Sequence, residues 1–129
     1  MNVIQHLAQS RNVYLCAAPE FRMSQELASL KKCLGRSGYL SQYDIAIREC
    51  FIMLLSNNYD IVPGKVHLVL NYISVDLLGF KTYDVKQVIS YRHMHKYRQA
   101  EVPHTVKAAM NEIVKKLKTI NVQNLQSHK

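Results

Sequence analysis

The chain has 129 residues, of which 48% are hydrophobic and 20% charged, and its formal net charge is +8. That length and balance suit one folded domain with a core that needs no metal or disulfide staple, and they exclude a disordered chain. The charge is uneven: residues 1–60 hold six Lys or Arg against five Asp or Glu, whereas residues 61–129 hold eleven against four, so the second half is the part suited to a polyanion.

Cys16, Cys33 and Cys50 form no C-x-x-C pair and have no histidine at ligand spacing. They read as small reduced hydrophobes, and an intracellular location, cytoplasmic or nuclear, is expected. The first residues lack a basic leader, and the apolar run 13–18 is short for a signal core. The longest apolar run, 66–80, is broken by His67, Asn71, Ser74 and Asp76, so no transmembrane segment is expected.

In chain order, a short helix is expected over residues 2–10. A second begins near Pro19, with Glu20 in its first turn, and carries Leu27, Leu30 and Leu34 to a stop at Gly35. Ser41 is positioned to cap a third, whose stripe Tyr43, Ile47, Phe51 and Leu54 is widened by Ala46, Cys50 and Met53. A helix apolar around most of its circumference belongs at the centre of the core. Residues 66–78 alternate like a strand at Val66, Leu68, Leu70 and Tyr72, but Leu70, Ile73, Leu77 and Leu78 also share a helical face. Length and the lack of a hairpin partner favour the helix.

Thr82 is the expected cap of a helix over 83–96, followed by a loop over 98–103. The last helix, 104–120, turns Val106, Ala109, Met110, Ile113, Leu117 and Ile120 inward, and the polar residues from 121 onward are expected to fray. The fold class is therefore all-α, a single bundle of five or six helices. Residues 1–60 form an apolar support and 61–120 a basic part.

The chemistry concentrates in residues 71–98. Gly79, just after Leu78, allows a tight turn between two helices, and Val85 and Val88 give the second helix an inner face, the arrangement of a helix-turn-helix. Lys81, Thr82, Tyr83, Lys86, Gln87, Ser90 and Arg92 are then the outward positions, residue types that address phosphates and base edges. The run YRHMHKYR interleaves aromatic and basic residues and adds Lys96 and Arg98, a composition that also suits stacking on RNA or a single strand. Lys107, Lys115, Lys116 and Lys118 lie opposite the apolar face of the last helix. His93 and His95 are two apart and do not converge on a helix, so no metal or other cofactor is expected. No nucleotide-binding loop, nucleophile elbow or H-E-x-x-H motif is present, and an enzyme is not expected.

LGFKTYDVKQVIS resembles the turn and second helix of helix-turn-helix DNA-binding proteins, and more loosely the headpiece of lactose-repressor-type bacterial regulators. TVKAAMNEI resembles the helix that follows there. The resemblance spans residues 71–113 and implies a DNA-binding regulatory function, with Lys81, Thr82, Tyr83, Lys86 and Gln87 on the contacting face. Val75 departs from the small residue and Ser74 from the apolar residue that such motifs prefer, and the connection over 92–103 is long. The expected function is a small nucleic-acid-binding factor in transcription regulation, DNA favoured over RNA, in a form compatible with a homodimer. The alternative is a helical interaction module, such as an adaptor, effector or viral accessory protein, whose basic face meets an acidic protein partner or a membrane. Its motive is the apolar character of Phe21, Met23 and residues 13–18.

Overall fold

The computed structural model describes residues 2–127. Helix α1 (Val3–Gln9) opens with a capping box: the Gln5 N–H donates to Asn2 Oδ1 at 2.8 Å, and the Asn2 N–H donates to Gln5 Oε1 at 3.3 Å. Strand β1 (Val13–Leu15) then pairs antiparallel with β2 (Tyr59–Ile61), Val13 opposite Ile61 and Leu15 opposite Tyr59. This small ribbon is absent from the sequence reading, because three-residue strands carry too little alternation to register.

Helix α2 (Pro19–Cys33) and helix α3 (Tyr39–Leu55) follow. Twelve of the seventeen residues of α3 are buried, including the whole expected stripe, so α3 is the central element. It starts two residues before the expected cap, with Gly38 as N-cap and no side-chain capping bond. Helix α4 (Val66–Tyr72) continues as a π-helical turn, Ile73–Leu77, which settles the strand-or-helix ambiguity in favour of helix. The chain leaves this turn through Gly79, whose φ of +80° suits the absence of a Cβ, and the Phe80 N–H donates back to the Ser74 carbonyl at 3.0 Å.

Helix α5 (Thr82–Arg98) begins with Thr82 inside the helix and Lys81 as N-cap, one residue earlier than expected. Helix α6 (His104–Ser127) runs past the expected stop at Ile120. Asn121, placed in a fraying tail by its polarity, is instead buried: its Nδ2 donates to the Glu49 carbonyl at 2.9 Å and to Glu49 Oε2 at 2.7 Å. Residues 128 and 129 of the expected tail lie outside the described residues.

One apolar cluster joins these elements. Leu7 of α1, Leu54 of α3, Leu70 of α4, Val88 of α5 and Met110, Ile113 and Leu117 of α6 are all fully buried within it. The predicted inward residues of α5 and α6 are therefore in place, with Ala109 and Ile120 partly covered. Tyr39 pins α3 to α5 by donating its hydroxyl to the Val88 carbonyl.

Helix α2 does not bury all of its leucines. Leu27 is 46% exposed, and Leu34 at its end is 60% exposed, whereas Glu26 is buried. The reason is a buried ionic cluster. Arg22 donates to Asp60 Oδ2 at 2.7 Å and to Glu26 Oε1 at 3.0 Å, and Arg48 donates to Glu26 Oε2 at 2.7 Å. Both guanidinium groups lie over the Phe51 ring. Charged groups thus occupy part of the inner side of α2, and the buried Glu26 and Asp60 carboxylates each have a cation. Among the described residues no helix is long and apolar enough to cross a membrane.

Candidate nucleic-acid interface

Helix α5 is about 25 Å long at about 1.5 Å per residue, the scale of an element that can lie in a DNA groove. Val85 and Val88 are fully buried and Ile89 packs against the core, which fixes the rotation of the helix. With that rotation, the helical period places Tyr83, Lys86, Ser90, His93 and Tyr97 along one outward stripe at alternating spacings of three and four. Tyr83 and Tyr97 are 70% and 62% exposed, and Lys86, Ser90 and His93 are exposed between them.

The lower end of the stripe is partly organised. The His93 and Tyr97 rings lie 4.8 Å apart, and Lys96 Nζ sits 5.3 Å from the Tyr97 ring centroid. Lys81 and Thr82 are exposed where the helix begins, and Arg98 is exposed where it ends. Lys116 of α6 reaches the turn that precedes α5, 3.4 Å from the Leu78 carbonyl and 4.7 Å from the Phe80 ring centroid. Among the described residues no carboxylate pairs with Lys81, Lys86, Arg92, Lys96, Arg98 or Lys116. Asp84 is the sole acid on α5.

The structure divides the nine residues singled out from the sequence. Lys81, Thr82, Tyr83, Lys86 and Ser90 belong with the outward face, and Arg98 is exposed at the end of the helix. Gln87 is half-buried and lines, with Asp84, Tyr91, Thr105 and the edge of the exposed Tyr83, a cavity of about 260 Å³ toward α6. Arg92 and Lys96 lie seven and eleven residues after the buried Val85, which returns them to the side facing α3 and α4. There the Arg92 guanidinium lies over the Tyr43 ring at 5.5 Å. His93, Tyr97 and Lys116 take no place in the sequence-derived set, although the spacing from Tyr83 carries the signal for the first two.

Behind α5, the Tyr43 hydroxyl and His67 Nδ1 are 2.7 Å apart. Burial, and then the nearby Arg92 charge, lower the His67 pKa from its ordinary value, which keeps the imidazole neutral at pH 7. Burial raises the Tyr43 pKa, so its hydroxyl keeps its proton. A larger cavity, about 630 Å³, lies elsewhere, between the start of α3, the end of α5 and the start of α6. His95 forms part of its wall, its ring held by an Nδ1 contact of 2.8 Å to the Ala100 carbonyl, while Glu101 and Lys107 bring opposite charges to the same wall.

The three cysteines are free: Cys33 and Cys50 are buried and Cys16 half-buried. Burial pushes the Cys33 and Cys50 thiols up, away from thiolate chemistry. Among the described residues no three His, Cys, Asp or Glu side chains converge as a metal site. No protein-family model, curated protein or solved structure matches the chain.

Proposed function

We propose that the protein binds nucleic acid, duplex DNA foremost, through the outward face of α5, as a small regulatory factor. The observation that carries this reading is the stripe itself. Two tyrosines stand largely in solvent on the same face as Lys86 and His93, with Lys81 and Lys116 at the entry and, among the described residues, no carboxylate pairing these cations. The cationic groups supply phosphate neutralisation, which holds a duplex without regard to sequence, and the exposed tyrosine hydroxyls add contacts to its backbone. Ser90 and Thr82 add hydrogen-bonding groups able to reach backbone or base edges. The order of α4, the glycine turn and α5 supports entry of α5 into a groove, as in the helix-turn-helix proteins that the sequence resembles.

The double substitution Lys81→Ala, Lys86→Ala tests the face. It weakens binding to duplex DNA and lowers the log–log salt slope by about 1–2, close to one unit per lost phosphate contact. Both residues are exposed, so the circular dichroism spectrum stays that of the parent protein. An unaltered slope and affinity would remove α5 from the interface.

A second reading, a helical interaction module with a protein partner, has its own observation: Leu15, Phe21 and Leu34 are 71%, 64% and 60% exposed near the N-terminal part of the fold. A stoichiometric protein partner that survives nuclease and high salt favours this reading over the first.

A further inference from the structure

Arg92 and Lys96 do not face the same way as the outward stripe, and the cavity they enter is unlike an ordinary gap between helices. It holds about 280 Å³ between α3, α4 and α5, near the small end of the roughly 300–1,000 Å³ typical of ligand pockets. Arg48, Arg92 and Lys96 line it against a single carboxylate, Asp44. Asp44 is already engaged, accepting from Arg48 Nε at 3.4 Å and from the Cys33 thiol at 3.2 Å. Two cations therefore remain without a counter-ion among the described residues.

Arg92 is the telling residue. It is half-buried, with its guanidinium carbon 5.5 Å from the centroid of the buried Tyr43 ring, yet none of its five N–H donors has a protein acceptor among the described residues. An arginine placed over an aromatic ring with its fork unspent is prepared for a planar or tetrahedral oxyanion. The Tyr43–His67 pair adds to this. One proton joins the two side chains at 2.7 Å, and in either tautomer a second, on the hydroxyl or the ring, is left to donate. Both residues line the same cavity as Arg92 and Lys96.

From this cluster we infer that the cavity between α3, α4 and α5 is a binding site for a phosphomonoester group, held by Arg92 and Lys96 with a further donor from the Tyr43–His67 pair. The size admits one small anionic group with little attached. The same chemistry is borne by free phosphate, a mononucleotide and the phosphorylated end of a strand. The site is distinct from the stripe at Tyr83, Lys86 and Ser90, which do not line the cavity, although Lys96 also reaches the Tyr97 ring at the stripe's end.

The test is calorimetric titration of the full chain with inorganic phosphate, and then with short single strands carrying either a 5′-phosphate or a 5′-hydroxyl. Saturable one-to-one phosphate binding is expected. Arg92→Met and Lys96→Met should each weaken it about tenfold, the loss of one charge-assisted bond. Lys86→Ala, on the outer face, should leave it unchanged. Lys96 is exposed, so its variant tests the site even if the loss of the Arg92 stack disturbs folding. The His67 ring signals in the proton NMR spectrum should shift on phosphate addition in the parent and not in Arg92→Met. A preference for the 5′-phosphorylated strand that vanishes in Arg92→Met assigns the site to strand ends. Phosphate binding without that preference assigns it to free phosphate or mononucleotides. Absence of saturable phosphate binding overturns the inference, as does equal weakening by Lys86→Ala, which marks general charge screening. Neither of these results bears on duplex binding by α5, which its own salt slope decides.

Discussion

Arg22→Met lowers the free energy of unfolding by about 3–5 kcal/mol, the loss that follows when a buried ion pair is left with one partner. Arg22 is the only cation paired with Asp60 among the described residues, and it shares Glu26 with Arg48. Both carboxylate side chains are 5% exposed, so water cannot replace the guanidinium. Asp60 keeps the Ile61 N–H at 2.8 Å and the Tyr14 hydroxyl at 3.4 Å, neither of which carries charge. Methionine preserves the aliphatic stem over Phe51, which separates the ionic loss from a packing loss. Urea denaturation measures the change, with an unaltered m value showing that both states keep their extent. A loss under about 1 kcal/mol would place the cluster among screened surface pairs.

Leu54→Ala is the second large effect, about 2–5 kcal/mol, because Leu54, in the last turn of α3, is fully buried within the apolar cluster and its removal leaves a cavity that the packed surroundings close only in part. Leu34→Ala is the matched control. The same atoms are removed at the end of α2, where the side chain is 60% exposed, and the expected change stays within about 0.5 kcal/mol. Equal losses at the two positions would contradict the orientation of α2.

These two leucines also mark what the sequence made legible. The stripe through Tyr43, Ile47, Phe51 and Leu54 and the inner faces of α5 and α6 repeat at helical spacing, and a buried face with that period leaves a direct trace in the residue order. The direction of α2 does not, because it is decided by Arg22 and Glu26 meeting Asp60 and Arg48, partners 38 and 22 residues away. Asn121 is hidden for the same reason: its polarity reads as tail until Glu49, 72 residues earlier, supplies the acceptors. Strands β1 and β2 are too short to announce themselves before they meet.

The candidate interface was legible in composition and only partly in geometry. Lys81, Tyr83 and Lys86 sit where the turn at Gly79 and the buried valines put them. Arg92 and Lys96 look outward when the basic run is read as one block, but counting from Val85 brings them round to the inner side, where Tyr43 receives the guanidinium. Lys116 joins the turn before α5 only through the packing of α6, which no local pattern encodes.

Fluorescence anisotropy with duplex DNA, single-stranded DNA and structured RNA across several salt concentrations measures whether the positive face of α5 meets a polyanion. Binding to the duplex is expected, with a log–log salt slope of about −4 to −7, the signature of several neutralised phosphates. No binding to any of the three near 100 mM salt, roughly the condition in which unpaired surface lysines still attract phosphate, would contradict it and shift the function to a protein partner.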